Sequence, residues 1–173
     1  MNTHSPVLAG PTAMLTSNPQ SRSFAVRIPP VAVVVITGML AWLGCRAYPA
    51  LKVESAAGLW LTAALMAAGA GCSLGGVLSF RRARTTVNPM TPEAATTLVI
   101  SGIYRFTRNP MYLGFALLLG AWATWLANPV ALLALPLFVS YLNRFQIRAE
   151  EAALHARFGS AFTHYQAQVR RWI

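Results

Sequence analysis

Acidic side chains are scarce in this chain, and two of them are adjacent. Of the 4 Asp and Glu residues among 173, Glu150 and Glu151 stand together in RFQIRAEEAALHARFGSAFTHY. A carboxylate pair beside apolar segments is costly unless it has a partner or a ligand. Salt bridges to Arg144, Arg148 or Arg157 within one helix would satisfy the pair, as would recognition of a cation or of ribose hydroxyls. The spacing leaves both interpretations open.

A second polar segment, TTLVISGIYRFTRNPMYLG, places an arginine directly before a predicted helix start. Asn109 suits the N-cap and Pro110 the first helical position, which alone would explain both residues. A helix N-terminus also presents free N–H groups and a partial positive charge. With the Arg108 guanidinium beside it, the place suits a carboxylate or a phosphate.

Other kinds of site find little support. Glu151 and His155 could share a metal ion, but no second His or carboxylate motif lies nearby, so we predict no metal site. The histidines have no plausible nucleophile at hand, which excludes a hydrolase triad. Cys45 and Cys72 lie inside apolar segments without metal-like spacing and are expected to be small buried hydrophobes.

Composition indicates a membrane protein. Apolar residues make up 55% of the chain and charged residues only 10%, against a usual share of about 25%. The 14 basic residues lie between long apolar runs and not on a polar domain, so nucleic acid is not an expected partner.

The elements that must position the polar segments are long apolar helices. We expect an all-α integral membrane protein with about four transmembrane helices, a C-terminal helical hairpin and a cytoplasmic amphipathic C-terminal segment. This segment, residues 160–173, has one apolar face that can lie on the membrane or against the hairpin. The last span should continue out of the membrane as far as Gly159. The glycines of GAGCSLGG favour close helix packing over a nucleotide-binding loop. The predicted organisation is a disordered tail over 1–25 and a single domain over 26–173, with spans at about 28–49, 56–80, 110–127 and 130–147.

The distribution of basic residues predicts the orientation. Twelve of the 14 fall on the side of the termini and of the polar middle connection, residues 81–109, whereas only Arg46 and Lys52 fall on the other. By the positive-inside rule the larger group is cytoplasmic, which suggests a bacterial inner membrane. A hairpin of two spans then brings both polar segments to the same cytoplasmic face.

The two segments together resemble a known family. SGIYRFTRNPMYLG, followed by EEAALHARFGSAFTHYQAQVRRWI, is similar to the paired signature of the isoprenylcysteine carboxyl methyltransferases and the related phospholipid methyltransferases. The resemblance covers about 85–173. Asn109 stands where the eukaryotic enzymes have His. The matching residues include Gly102, Tyr104, Arg108, Pro110, Tyr112, Gly114, Glu150, Glu151, Leu154, Phe158, Gly159 and Tyr165.

The resemblance implies an S-adenosylmethionine pocket at the cytoplasmic ends of the last two spans. Arg108 and the helix N-terminus would hold the methionine carboxylate, and Glu150 or Glu151 the ammonium or the ribose hydroxyls. Arg108 and Glu151 are the residues implied to act in catalysis. The residues implied to contact the cofactor are Gly102, Tyr104, Arg108, Asn109, Tyr112, Glu150, Glu151 and Tyr165, with the tyrosines supplying stacking surface.

The implied reaction is methyl transfer from a sulfonium to a lipophilic acceptor that enters from the bilayer. The protein mainly has to align the two groups and exclude water, which explains the lack of a triad. An isoprenylcysteine carboxyl O-methyltransferase is the first expectation. A phosphatidylethanolamine-type N-methyltransferase and a non-catalytic lipid-binding module of the same fold are the alternatives. The acceptor and the oligomeric state stay open.

Overall fold

A computed structural model of the protein describes residues 28–53, 55–83 and 97–173. The predicted disordered tail over 1–25 lies outside the described residues. Within the described ranges there is no strand, which confirms the all-α prediction. The helices are α1 (Pro30–Ala47), α2 (Ala56–Arg82), α3 (Pro110–Trp125), α4 (Ala134–Tyr141), α5 (Arg148–Phe158) and α6 (Ser160–Gln168).

Local chemistry explains where most of these helices begin and end. Pro30 and Pro110 are the first residues of α1 and α3, where a missing N–H costs nothing. The Ser55 side chain caps α2 by accepting a 3.1 Å hydrogen bond from the N–H of Gly58. Gly159 separates α5 from α6 with φ of +51°, a conformation that favours glycine.

Three helices in the described ranges are long and apolar enough to cross a membrane: α1, α2 and the continuous helix Pro129–Phe158, which contains α4 and α5. The third of these has 30 residues, so it is about 45 Å long and exceeds the hydrocarbon thickness of about 30 Å. The 16-residue α3 is about 24 Å long and falls short of that thickness. Three of the expected four spans therefore correspond to helices of spanning length, and the predicted span at about 110–127 corresponds to the shorter α3.

Small residues let α3 lie directly against α2. A Cβ added to Gly69 would stand 2.8 Å from the carbonyl oxygen of Gly114, and one added to Gly76 would stand 2.7 Å from Cγ of Met111. The close approach predicted from the glycine-rich stretch is therefore present at these two positions.

A tight reversal joins α3 to the long helix that follows. Ala127 has φ of +51°, and the buried Asn128 accepts a 3.0 Å hydrogen bond from the N–H of Val130. The Asn128 amide donates to the carbonyl oxygen of Tyr48 at 2.9 Å, which ties the reversal to the end of α1. Phe138 and Leu142 are fully buried in the core that α3 shares with the returning helix. The hairpin therefore brings the start of α3 and the start of α5 to the same end of the molecule.

Candidate functional site

The carboxylate of Glu151 binds two arginines at this end. Its Oε1 accepts from Nη2 of Arg108 and from Nε of Arg171, each at 3.0 Å, and its Oε2 accepts from Nη2 of Arg171 at 2.5 Å. Both partners lie outside the helix that carries Glu151. The sequence spacing allowed a salt bridge within one helix, but Glu151 forms its salt bridges with arginines outside its helix.

Arg108 joins the start of α3 to the C-terminal segment. Its Nη1 donates to the carbonyl oxygens of Gln166 at 3.0 Å and Val169 at 3.1 Å, while its backbone N–H donates to the carbonyl oxygen of Arg170 at 3.0 Å. The side chain is only 13% exposed. Its Nε is buried and has no hydrogen-bond partner within the part of the chain that the structure describes. One N–H of this guanidinium thus stays available inside the protein.

Asn109 occupies the predicted N-cap position of α3, but its side chain does not cap the helix. The amide instead donates a 3.0 Å hydrogen bond to the carbonyl oxygen of Arg171. The last residues of the chain pass over the start of α3, and the Asn109 amide bonds to one of their carbonyl oxygens and not to an N–H of the helix. The first N–H groups of a helix have no partner within it, so the start of α3 keeps its positive end uncapped by Asn109.

Glu150 receives hydrogen bonds from two buried side chains. The Tyr112 hydroxyl donates to Oε1 of Glu150 at 2.5 Å, and Nε2 of Gln146 donates to the same oxygen at 2.6 Å. Tyr112 is 5% exposed and Gln146 is 2% exposed. The negative charge of Glu150 is therefore held at the junction of α3 and α5 by two neutral donors.

A π-helical segment, Leu142–Ile147, connects α4 to α5 without a break. Its wider turn accommodates one more residue than an α-helix would, and such segments occur often at functional sites. Gln146 lies in this segment, four residues before its partner Glu150. The π-helical segment thus determines the direction in which the side chains of Glu150 and Glu151 project from the helix.

Two tyrosines, Tyr104 and Tyr165, lie at the edge of the site next to the 3₁₀ turn that precedes α3. The hydroxyl of Tyr165 in α6 donates a 2.7 Å hydrogen bond to the carbonyl oxygen of Tyr104, which lies in the short 3₁₀ turn Gly102–Arg105. Burial raises the pKa of Tyr104 well above its ordinary value, and Tyr165 and Glu150 add to this. Burial also raises the pKa of Tyr165 to about 12, against an opposing effect of Arg108. Both phenols are neutral at pH 7.

The turn itself depends on Gly102, whose φ is +64°. A Cβ there would also stand 2.9 Å from Oγ of Ser79 near the end of α2. Glycine at position 102 therefore allows the turn that places Tyr104 inside the protein.

The C-terminal amphipathic segment packs on the protein. Phe162, Tyr165 and Val169 are buried together against Leu98, Leu154 and Phe158. The pattern allowed this apolar face to lie on the membrane or against the hairpin. In the structure the face packs against α5 and Leu98.

The predicted site residues therefore lie at one end of the molecule. Gly102 and Tyr104 are in the 3₁₀ turn, and Tyr165 is in α6. Arg108, Asn109 and Tyr112 are at the start of α3, while Glu150 and Glu151 are in the first turn of α5.

Sequence reasoning missed Gln146 and Arg171, which hold the two carboxylates. A glutamine inside an apolar helix was a signal that could have been used, because a buried amide needs a partner. Arg171 had no such signal, since it stands in the polar ending RRWI.

The fold and the site together define a helical membrane protein with a charged, tyrosine-lined cluster at one end of its helices. Residues 57–161 match the phospholipid methyltransferase family, and the chain belongs to that family. It is thus a membrane methyltransferase of the general phospholipid and isoprenylcysteine type. It is also similar to an uncharacterised protein of Haemophilus influenzae, with 43% identity over 63 residues, which are 36% of this chain and all of that protein.

Proposed function

We propose that this protein transfers a methyl group from S-adenosylmethionine to a lipophilic acceptor held in the membrane, as an isoprenylcysteine carboxyl O-methyltransferase does. The observation that carries the proposal is the junction of the two polar segments. Arg108 and Tyr112 at the start of α3 meet Glu150 and Glu151 of α5 over distances of 2.5 to 3.0 Å. The family match supports methyl transfer in general.

The residues present fit the polar end of this cofactor. The buried Nε of Arg108 lacks a partner among the described residues and stands beside the positive end of α3, which suits a carboxylate. Glu150 supplies a negative charge for the ammonium or for ribose hydroxyls. Gly102 and Asn109 shape the surrounding backbone, while Tyr104, Tyr112 and Tyr165 supply apolar surface.

Glu151 and Arg108 have different proposed roles. Its two oxygens are bound by Arg108 and Arg171, so it orients the guanidinium and holds the C-terminal segment over the start of α3. Glu151 is therefore a positioning residue, whereas Arg108 touches the cofactor.

Bound S-adenosylmethionine supplies a methyl group on a sulfonium, whose leaving group is already activated. The chain then needs only to orient the two reacting groups and to exclude water. The C-terminal segment, held by Arg108 and Asn109, covers the site from the aqueous side. The lipophilic acceptor would enter from the bilayer. The distribution of basic residues supports a site on the cytoplasmic side of the membrane, which we propose to be a bacterial inner membrane.

The name of the matched family favours a second candidate, N-methylation of a phospholipid amine. The test is to supply the purified protein with radiolabelled S-adenosylmethionine and either a prenylcysteine or phosphatidylethanolamine. We expect base-labile label, the sign of a methyl ester, on the prenylcysteine. Base-stable label on the phospholipid alone would establish the second candidate, and cofactor binding without transfer to any lipid would indicate the non-catalytic module.

A further inference from the structure

A cleft with a mostly apolar surface and two arginines at its edge lies on the outer side of the long helix, around the π-helical segment. Its volume is about 570 Å³, and its wall contains two arginines, three uncharged polar side chains and two apolar ones. The lining residues are Leu137, Ser140, Tyr141, Asn143, Arg144, Phe145 and Arg148.

The two arginines of this cleft are charged groups without an anionic partner among residues 28–53, 55–83 and 97–173. Arg144 and Arg148 are exposed and four residues apart, so they lie near one another along the helix. Neither forms an ion pair with any residue in the described ranges. Gln146 and Glu150 each lie two residues further along, on the opposite side of the helix, where they face Tyr112. The cleft is therefore separate from the candidate methyl-transfer site.

The other side of the cleft is apolar. Leu137 is 51% exposed and Phe145 is 57% exposed, and both lie on a helix long enough to cross the membrane. Arg144 is the first charge after the apolar stretch 129–143, so the change from apolar to cationic surface falls at the membrane interface. A ligand complementary to this surface has an anionic head and an apolar tail.

We propose that this cleft binds an anionic phospholipid of the surrounding bilayer. The guanidiniums of Arg144 and Arg148 would receive the phosphate, the hydroxyl of Ser140 or Tyr141 would add a hydrogen bond, and an acyl chain would lie along Leu137. A free phosphate ion would leave the apolar wall uncovered. A zwitterionic lipid would bring an ammonium group towards two arginines.

The cleft adjoins the segment that covers the candidate site. Asn143 accepts a 3.1 Å hydrogen bond from the indole N–H of Trp172, which follows the Glu151 partner Arg171. The bound lipid would thus lie beside the end of the C-terminal segment, on the membrane side. This site does not depend on methyl transfer.

The test uses the full chain purified in detergent and titrated with phosphatidylglycerol, phosphatidylcholine or inorganic phosphate, with bound lipid counted by native mass spectrometry. The variant Arg144→Gln/Arg148→Gln is compared with Arg157→Gln/Arg170→Gln. The second pair removes the same charge from exposed positions on the same predicted face.

We expect the parent to bind phosphatidylglycerol at least about tenfold more tightly than phosphatidylcholine, a preference that the first variant loses and the control keeps. An equal loss in both variants would show that net charge alone attracts the lipid and would overturn the site. Competition by inorganic phosphate at the lipid's own concentration would overturn it too. The thermal midpoint of each lipid-free variant establishes that it is folded.

Discussion

The hydroxyl of Tyr112 and the carboxylate of Glu150 form a 2.5 Å hydrogen bond that joins the start of α3 to the start of α5. The two residues come from separate polar segments, 38 positions apart. Glu151, the next residue, instead binds two cations. Adjacent carboxylates therefore have different surroundings, and replacing them should have different effects.

Replacing Glu150 with Gln should weaken cofactor binding more than it weakens the fold. Glutamine keeps an oxygen that can accept from Tyr112 and Gln146 but removes the charge available to an ammonium or ribose group. We expect a loss of roughly 1.5–3 kcal/mol in S-adenosylmethionine binding, which is about tenfold to a hundredfold. Calorimetry in detergent measures it. Unchanged affinity would remove Glu150 from the proposed pocket.

Replacing Glu151 with Gln should destabilise the closed C-terminal segment. Arg108 and Arg171 would lose their shared anion, and Arg108 is mostly buried. We expect the free energy of unfolding to fall by about 1–3 kcal/mol, with faster proteolysis of the C-terminal segment. The exposed neighbour Arg170→Gln is the control and should change neither. A Glu151→Gln protein with parental stability would show that the two ion pairs contribute nothing.

Arg108→Lys should lower both cofactor affinity and stability, although it keeps the charge. A lysine ammonium cannot reproduce the planar group that donates to Gln166, Val169 and Glu151 at once. We expect at least about a tenfold loss of affinity together with a lower thermal midpoint. Arg105→Lys, at an exposed position in the 3₁₀ turn, is the matched control. If the two variants behave alike, the planar group at 108 is not needed.

Burial of the Tyr165 phenol, which donates to the carbonyl oxygen of Tyr104, should make stability depend on pH in the alkaline range. Folding raises the pKa of Tyr165 from 10.0 to about 12, so its contribution is fully present below pH 10. That contribution is lost as the pH rises from 10 to 12. Tyr165→Phe lacks it at every pH, so the gap in thermal midpoint between parent and variant should shrink over that range. A constant gap would mean that folding does not raise the pKa of Tyr165.

The orientation can be tested with single cysteines in a background lacking Cys45 and Cys72. Arg157 and Lys52 are exposed at opposite ends of the helices. In whole cells, an impermeant maleimide should label a cysteine at 52 but reach one at 157 only after lysis, since the more basic face is predicted to be cytoplasmic. The reverse labelling pattern would show that the protein has the opposite orientation, with the candidate site outside the cytoplasm.

Much of the fold could be predicted because its signals are local. Proline at positions 30 and 110 starts a helix and glycine at 159 ends one, whatever the rest of the chain does. Apolar stretches of spanning length identify membrane helices in the same way. The meeting of the two polar segments followed from simple geometry, because two antiparallel helices return the chain to the face it left.

The contacts inside the site could not be predicted, because they depend on where the end of the chain lies. Backbone carbonyls of residues 166, 169, 170 and 171 accept hydrogen bonds from Arg108 or Asn109, and any residue type would offer the same carbonyl. Sequence spacing therefore suggested salt bridges within one helix for Glu151. It could not reveal a partner such as Arg171, 20 residues further along.

The π-helical turn at Leu142–Ile147 also has a consequence for how this chain can change length. Deleting one residue there would let the segment relax to an ordinary α-helix while leaving α4 and α5 intact. Because the π-helical turn holds that one extra residue, the part of the helix beyond the deletion would keep its direction, whereas a deletion inside α4 or α5 would turn it by about 100° about the helix axis. Glu150 would then still face Tyr112, so a relative of this chain that is one residue shorter at this point could keep the same site.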